Sequence, residues 1–309
     1  MEFESRLAEV KTATIDRFSE AWLNNYRANR PAVLQGTGVP KIRGQLKDIP
    51  CILVGAGPSL DKNLKFLKWA AQRSIIVACD AALATLLSEG IKPNFVTVLD
   101  PQESIIRFFW GIDTRGLRLV APTIVHPKIL RLWKGAVLFF NKFAPDIPVL
   151  TQIQKDAQHV GVLTPGGSVL TISYDLAFQL GANPIIFIGQ DLSFPKGKGH
   201  TTGTVYDMVE NDCQDIILLR DGEHMVMEKN IFGRETPTLK SMSVTKTWFN
   251  WAFKEWSRPN PSRPINCSED GILSGLCEQM PLAEGINLFC GERVNVEWKL
   301  EKLLQRKAK

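Results

Sequence analysis

Ile49-Pro50-Cys51-Ile52-Leu53-Val54-Gly55-Ala56-Gly57-Pro58-Ser59-Leu60 is the stretch that decides how the rest of the chain is read. Its first half is apolar without alternation, the pattern of a strand covered on both faces of a parallel sheet. Its second half turns sharply into a helix. Gly55 and Gly57 remove side chains where the backbone must bend and approach a ligand, Pro58 is pre-set for a first helical turn, and Ser59 adds a hydroxyl. A helix start offers free N–H groups and the positive end of its dipole, so Gly55, Ala56, Gly57, Pro58 and Ser59 are candidate phosphate-binding residues. The same residues also suit a plain tight turn.

Outward from this unit, strand and helix patterns alternate. A helix over 59–71 leads to a strand over 74–79 and a helix over 81–89, stopped by Gly90 and Pro93. Strands follow at 95–99, 117–120 and 136–140, then a helix over 168–180 closed by Gly181 and a strand over 185–188. Such alternation predicts an α/β, Rossmann-like, doubly wound and mostly parallel sheet, here with helical N- and C-terminal additions. Residues 1–45 read as a helical appendage whose helix ends at Arg30, before Pro31. Residues 46–240 form the nucleotide-binding domain, with a loop-rich insertion at about 192–238, and residues 241–309 form a helical extension packed on the core. The helix from Ser241 carries Trp248, Phe249, Trp251, Phe253 and Trp256, a pattern of core packing.

With 309 residues, 44% of them apolar, the chain can bury a full core, which excludes disorder as a whole. No run reaches the roughly 18 apolar residues of a membrane span, and the charged N-terminus is unlike a signal peptide, so a cytoplasmic location and no membrane partner are expected. Six cysteines without a C-x-x-C pair read as reduced core residues. A net charge of +5, spread along the chain, lacks the dense basic stripe of a nucleic-acid partner.

Further candidates sit where strands end. Asp80, about twenty residues past the glycine turn, is placed to accept from a ribose hydroxyl or to cap a helix. Thr164-Pro165-Gly166-Gly167-Ser168 starts another helix, so Gly166, Gly167 and Ser168 offer a second anion site or a simple cap. Gly189, Gln190 and Asp191 follow a buried strand, and Asp100 ends another, so either acid could hold a base, a sugar hydroxyl or Mg²⁺. His200, in a Gly- and Lys-rich loop with Lys196 and Lys198, suits a general base at neutral pH or a solvated loop side chain. His126, His159 and His224 read as structural. Leu60 stands where the dinucleotide fingerprint has its third glycine, which disfavours a redox enzyme, and no P-loop pattern is present.

Val54–Asp61, Ala78–Leu83, Gly90–Val96, Phe187–Leu192 and Asn266–Gly271 together resemble the motility-associated-factor (Maf) glycosyltransferases of bacterial flagellin, whose shared domain is similar to the 6-hydroxymethylpterin pyrophosphokinases. The resemblance spans about residues 20–275 and implies a Rossmann-like domain and a cytoplasmic location. A more distant likeness, in Gly-x-Gly-Pro-Ser-Leu, Pro165–Ser168 and Gly189–Asp191, is to bacterial sialyltransferases. It implies that these segments face one nucleotide-sugar pocket. The function expected is transfer of a nonulosonic, sialic-acid-like sugar from a CMP-activated donor to an acceptor hydroxyl, with flagellin Ser or Thr as the acceptor implied by resemblance, and His200 and Asp191 as catalytic candidates. The alternatives are Mg-dependent diphosphate transfer from ATP to hydroxymethylpterin, with Asp100 and Asp191 as metal ligands, or nucleotide binding without turnover.

Overall fold

The computed structural model describes residues 2–204, 225–256 and 262–305. In chain order the strands are β1 (Thr37–Gly38), β2 (Cys51–Val54), β3 (Ile75–Cys79), β4 (Phe95–Thr97), β5 (Arg118–Pro122), β6 (Ala136–Lys142), β7 (Val162–Leu163), β8 (Ile185–Ile188), β9 (Met225–Lys229), β10 (Glu235–Leu239), β11 (Pro264–Asn266) and β12 (Glu278–Gln279). The helices are α1 (Glu2–Gln35), α2 (Leu60–Ala70), α3 (Leu83–Ser88), α4 (Pro127–Leu132), α5 (Pro148–Asp156), α6 (Val169–Leu180), α7 (Lys240–Trp256), α8 (Leu282–Phe289) and α9 (Val296–Gln305).

Ten strands form one sheet in the order β1-β6-β5-β4-β3-β2-β8-β11-β12, with β7 beside β6. Its pairings are all parallel, in keeping with the apolar, buried runs of β2, β3 and β8 at its centre. Alternate residues of one strand serve opposite faces: Cys51 and Leu53 join the core under α6 and α7, Ile52 and Val54 the core under α2 and α8. From β2 the chain winds outward through β3 to β6, then returns to lay β8 on the other side of β2. That reversal is a topological switch point, and its carboxyl edge is where open α/β sheets bind ligands.

Two expectations are corrected. The first helix does not end at Arg30 but runs through Pro31 to Gln35. Pro31 is exposed and Val33 beyond it is wholly buried, so packing holds the last turn despite the missing amide. Residues 241–309 are not a helical extension alone, because β11 and β12 join the central sheet beside β8, while β9 and β10 of the loop-rich insertion pair as an antiparallel hairpin. In α1, Trp22, Asn25, Tyr26, Asn29 and Val33 share a buried face. Asn25 donates to the Pro101 and Ile124 carbonyls at 2.8 and 3.0 Å, and Asn29 to those of Thr123 and Val125 at 3.2 and 2.7 Å. These bonds lay α1 across the carboxyl ends of β4 and β5.

Among the aromatic residues of α7, Trp248, Phe249, Phe253 and Trp256 pack into or against the core, and Trp251 is 48% exposed. Phe249, Ala252 and Phe253 are buried, and Trp256 stacks on Tyr174 at 5.6 Å with the rings 4° apart. Cys51, Cys79, Cys267, Cys277 and Cys290 are free and buried, while Cys213 and His224 lie outside the described residues. Among the described residues no helix is long and apolar enough to cross a membrane.

Candidate functional site

At the switch point the turns after β2 and β8 press backbone against backbone. The Gly55 amide donates to the Ile188 carbonyl and the Gly57 amide to that of Gly189, each at 2.8 Å. A Cβ on Gly55 would lie 2.3 Å from the Gly189 oxygen, and one on Gly189 equally close to that of Gly55, so neither position admits a side chain. Gly189 also has φ +63°, a region that L side chains rarely adopt.

Asp191 completes the junction. Its Oδ2 accepts from the Ser59 amide at 3.0 Å, at the start of α2. A carboxylate of the chain itself thus occupies the helix N-terminus where a phosphate was expected, and the amides of Gly55, Gly57 and Ser59 are spent on the protein. The side chains are not spent. Buried and unpartnered here are Ser59 Oγ, Gln190 Nε2, Asp191 Oδ1 and Ser193 Oγ, joined by Ser168 Oγ and Asp80 Oδ2. An unmet buried polar atom costs about 1–3 kcal/mol, and six of those among the described residues lie along this one sheet edge.

Burial, with Asp270 nearby, lifts the Asp191 carboxyl to about 7, against the Ser59 amide, the neighbouring Ser59 hydroxyl and Lys62, which favour its charged form. Burial and Asp100 lift Asp80 likewise to about 7. Both acids therefore exchange a proton near neutrality and can donate as well as accept. Asp80 opens a short 3-10 turn after β3, with Oδ1 accepting from the Ala81 amide at 2.9 Å.

The Thr164–Ser168 turn is set by its neighbours. Asp175 of α6 accepts from the Thr164 amide at 2.6 Å, and Thr171 Oγ1 from the Gly166 amide at 2.8 Å. Gly166 lies under the Trp248 indole, where a Cβ would approach to 2.3 Å. Ser168 precedes α6 in extended conformation, and its hydroxyl makes no capping bond. The loop bearing His200 is tied to the same edge. The Thr201 amide donates to the Ala56 carbonyl at 2.8 Å, the Thr201 hydroxyl binds Asp61, and Thr202 donates to Asp61 through its amide at 3.0 Å and its hydroxyl at 2.8 Å. Lys198 is exposed, and the Lys196 side chain lies outside what is described. His126 and His159 act structurally, His126 Nδ1 accepting from the Lys128 amide and His159 bonding the Val33 carbonyl at 3.1 Å.

The structure thus gathers Gly55–Ser59, Gly189–Asp191 and the His200 loop at one junction, with Asp80 and Ser168 farther along the same sheet edge. Asp100 and Asp191 have different neighbours: Asp80 and Lys142 beside Asp100, Asp270 and Lys62 beside Asp191. Among the described residues no group of three His, Cys, Asp or Glu side chains forms a metal cluster. Sequence reasoning gave no role to Asp61, Ser193 or the loop after β11. In that loop Ser268 Oγ accepts from the Gln190 amide at 3.0 Å, and the Ile272 amide donates to the Asp191 carbonyl at 2.8 Å. A Cβ on Gly271 would sit 2.1 Å from that carbonyl oxygen. Asp61 and Asn266–Gly271 stood inside the quoted strings, and that was the available signal.

A parallel, doubly wound sheet with helices on both faces defines an α/β protein of Rossmann-like fold. The chain belongs to the family described as 6-hydroxymethylpterin diphosphokinase MptE-like, whose model matches residues 24–197. Two uncharacterized proteins of Treponema pallidum (strain Nichols) are similar, at 32% identity over 163 residues and 33% over 86 residues, covering 51% and 28% of this chain. The chain spans 28% and 40% of their lengths. Among solved structures the MAf glycosyltransferase from Magnetospirillum magneticum AMB-1 matches with a TM-score of 0.60 and 19% identity, over 92% of this chain and 41% of that one. At that identity the likeness is one of fold.

Proposed function

We propose that this chain is a cytoplasmic glycosyltransferase-type domain that binds a CMP-activated, sialic-acid-like sugar along the carboxyl edge and transfers it to an acceptor hydroxyl. The observation carrying this reading is the set of unpartnered buried side-chain atoms around the switch point. Because the loop amides are engaged, the donors to the nucleotide phosphate are Ser59 and Ser168 hydroxyls, the Gln190 amide and the protonated form of Asp191, whose lifted pKa suits it to lie beside an anion. Asp80 accepts from the ribose. In the transfer, the acceptor oxygen bonds to the anomeric carbon, the bond from that carbon to the phosphate oxygen breaks, and the nucleotide leaves with the electron pair. His200 takes the acceptor proton, and Asp61 holds its loop in place through Thr201 and Thr202. The fold shared with a glycosyltransferase supports this, and flagellin Ser or Thr is the acceptor class the resemblance offers.

The family model's description favours a second reading, diphosphate transfer from ATP with Mg²⁺. Melting temperatures with CMP, UDP and ATP, each with and without Mg²⁺, separate the two, because a ligand that binds only the native state raises the melting point. Stabilisation by CMP without metal is expected. Stabilisation by ATP only with Mg²⁺ would replace the first reading by the second.

A further inference from the structure

The start of α2 holds a negative charge where phosphate sites hold positive ones. The Ser59 amide donates to Asp191 Oδ2 at 3.0 Å, and Gly57 leaves the notch for that oxygen, since a Cβ there would come within 2.1 Å of it. Gly271 packs against the Asp191 backbone, whose carbonyl accepts from the Ile272 amide at 2.8 Å, so the residue is held on both sides. Asp191 and Ser59 are each 2% exposed, and Asp191 Oδ1 and Ser59 Oγ have no partner. A serine hydroxyl lies at most about 4 Å from its own amide nitrogen, so a phosphate oxygen bonded to Ser59 Oγ stays within roughly 10 Å of the carboxylate.

The charges facing Asp191 leave its own uncompensated. Lys62 of α2 and Asp270 of the loop after β11 lie 3.9 Å apart and offset each other. Asp61 is taken by Thr201 and Thr202, and Glu269 accepts from Asn63 at 3.1 Å. The donors left over at the junction, Ser59 Oγ, Ser193 Oγ and Gln190 Nε2, are uncharged. We infer that Asp191 filters ligands by charge, so that the site takes a phosphate bearing one negative charge, a phosphodiester, and turns away diphosphates. This rests on the nucleotide lying along the carboxyl edge, and it adds the residue that sets the phosphate class. Neutral donors suffice for one charge, whereas each further charge within about 10 Å of a buried carboxylate loses on the order of tenfold in affinity at an effective dielectric of about 20. Asp191 is pushed up to about 7, so it is ionised above that value and the filter sharpens as pH rises through it.

Calorimetry on the 309-residue chain tests it with the methyl esters of CMP and CDP, which carry fixed charges of one and two near neutrality. At about pH 8.5 the wild type is expected to bind the CMP ester at least about tenfold tighter than the CDP ester, and at about pH 6 the gap should narrow. Asp191→Asn keeps an oxygen for the Ser59 amide and should bring the two affinities within about threefold at both pH values, while His200→Gln should leave the pH-dependent gap in place. Equal or tighter binding of the CDP ester by the wild type would overturn the filter, as would a gap that survives in folded Asp191→Asn or that vanishes in His200→Gln. Failure of both esters to bind the wild type would instead strike the proposed function, so the two failures are distinct.

Discussion

At the amino edge of the sheet, Glu297 of α9 accepts from Arg118 at 2.8 and 3.1 Å and from Asn94 at 2.7 Å, and Asn94 in turn accepts from the Ile76 amide. A groove of about 290 Å³ lies there, lined in part by Gln72, Asn94, Arg293 and Glu297. At the carboxyl edge Ser59, Asp80, Ser168, Gln190, Asp191 and Ser193 each keep a buried atom without a partner. One sheet supports both edges, so the difference lies in how each edge disposes its polar groups. The amino edge commits polar groups to holding α9, with Arg73 Nε an unpartnered exception, and the carboxyl edge leaves six buried atoms without a partner, which the proposed function assigns to a ligand. The size of a hollow is a poorer guide than the state of its hydrogen bonds.

The sharpest way to break this contrast is the titration of Asp191. Unfolded, its carboxyl loses its proton near the ordinary 3.8, and folded near 7. Between those values the unfolded chain releases a proton that the native chain keeps, so stability falls as pH rises from about 4 to 7 and stays lower above. Asp191→Asn removes the charge and should raise stability at pH 8, by at most roughly 4 kcal/mol if the whole shift is relieved, with the gain fading toward pH 4. Chemical denaturation at both pH values measures this, and a gain independent of pH would refute the burial of the charge.

Gly55→Ala should cost about 3 kcal/mol, because its Cβ meets the Gly189 carbonyl oxygen at 2.3 Å and backbone cannot step aside. Gly291→Ala, with nothing within 4 Å, is the control and should change stability by less than about 0.5 kcal/mol. Between them, Glu297→Ala strips Arg118, whose side chain is 7% exposed, of its partner and should cost about 2 kcal/mol while leaving nucleotide affinity unchanged. A loss of affinity in that variant would mean that the amino edge takes part in binding.

Strands β2 to β6 and β8 were legible because apolar runs dominate them, and strand 185–188 was read to the residue, whereas β11 lies in what reads as a helical extension. The two-residue strands β1, β7 and β12 were not, since pairing with distant residues, rather than local propensity, makes them strands. In the site, the residue types at strand ends were readable, but the bond that fills the helix start was not. Asp191 and Ser59 lie 132 positions apart, and no local pattern tells that a carboxylate will sit where a glycine turn invites a phosphate. The docking of α1 was hidden for the same reason, as Asn25 and Asn29 reach carbonyls 76 to 99 residues away.

The central claim is that the carboxyl edge keeps polar groups unbonded for a ligand, and Ser168→Ala combined with Ser59→Ala tests it most directly. Removing two buried hydroxyls that no protein group satisfies should leave stability unchanged or raise it by about 1 kcal/mol, while CMP affinity measured by calorimetry falls at least about tenfold. Unaltered CMP affinity in a folded double variant would contradict the claim, and so would a loss of stability, because either would show that the hydroxyls serve the fold and not a ligand.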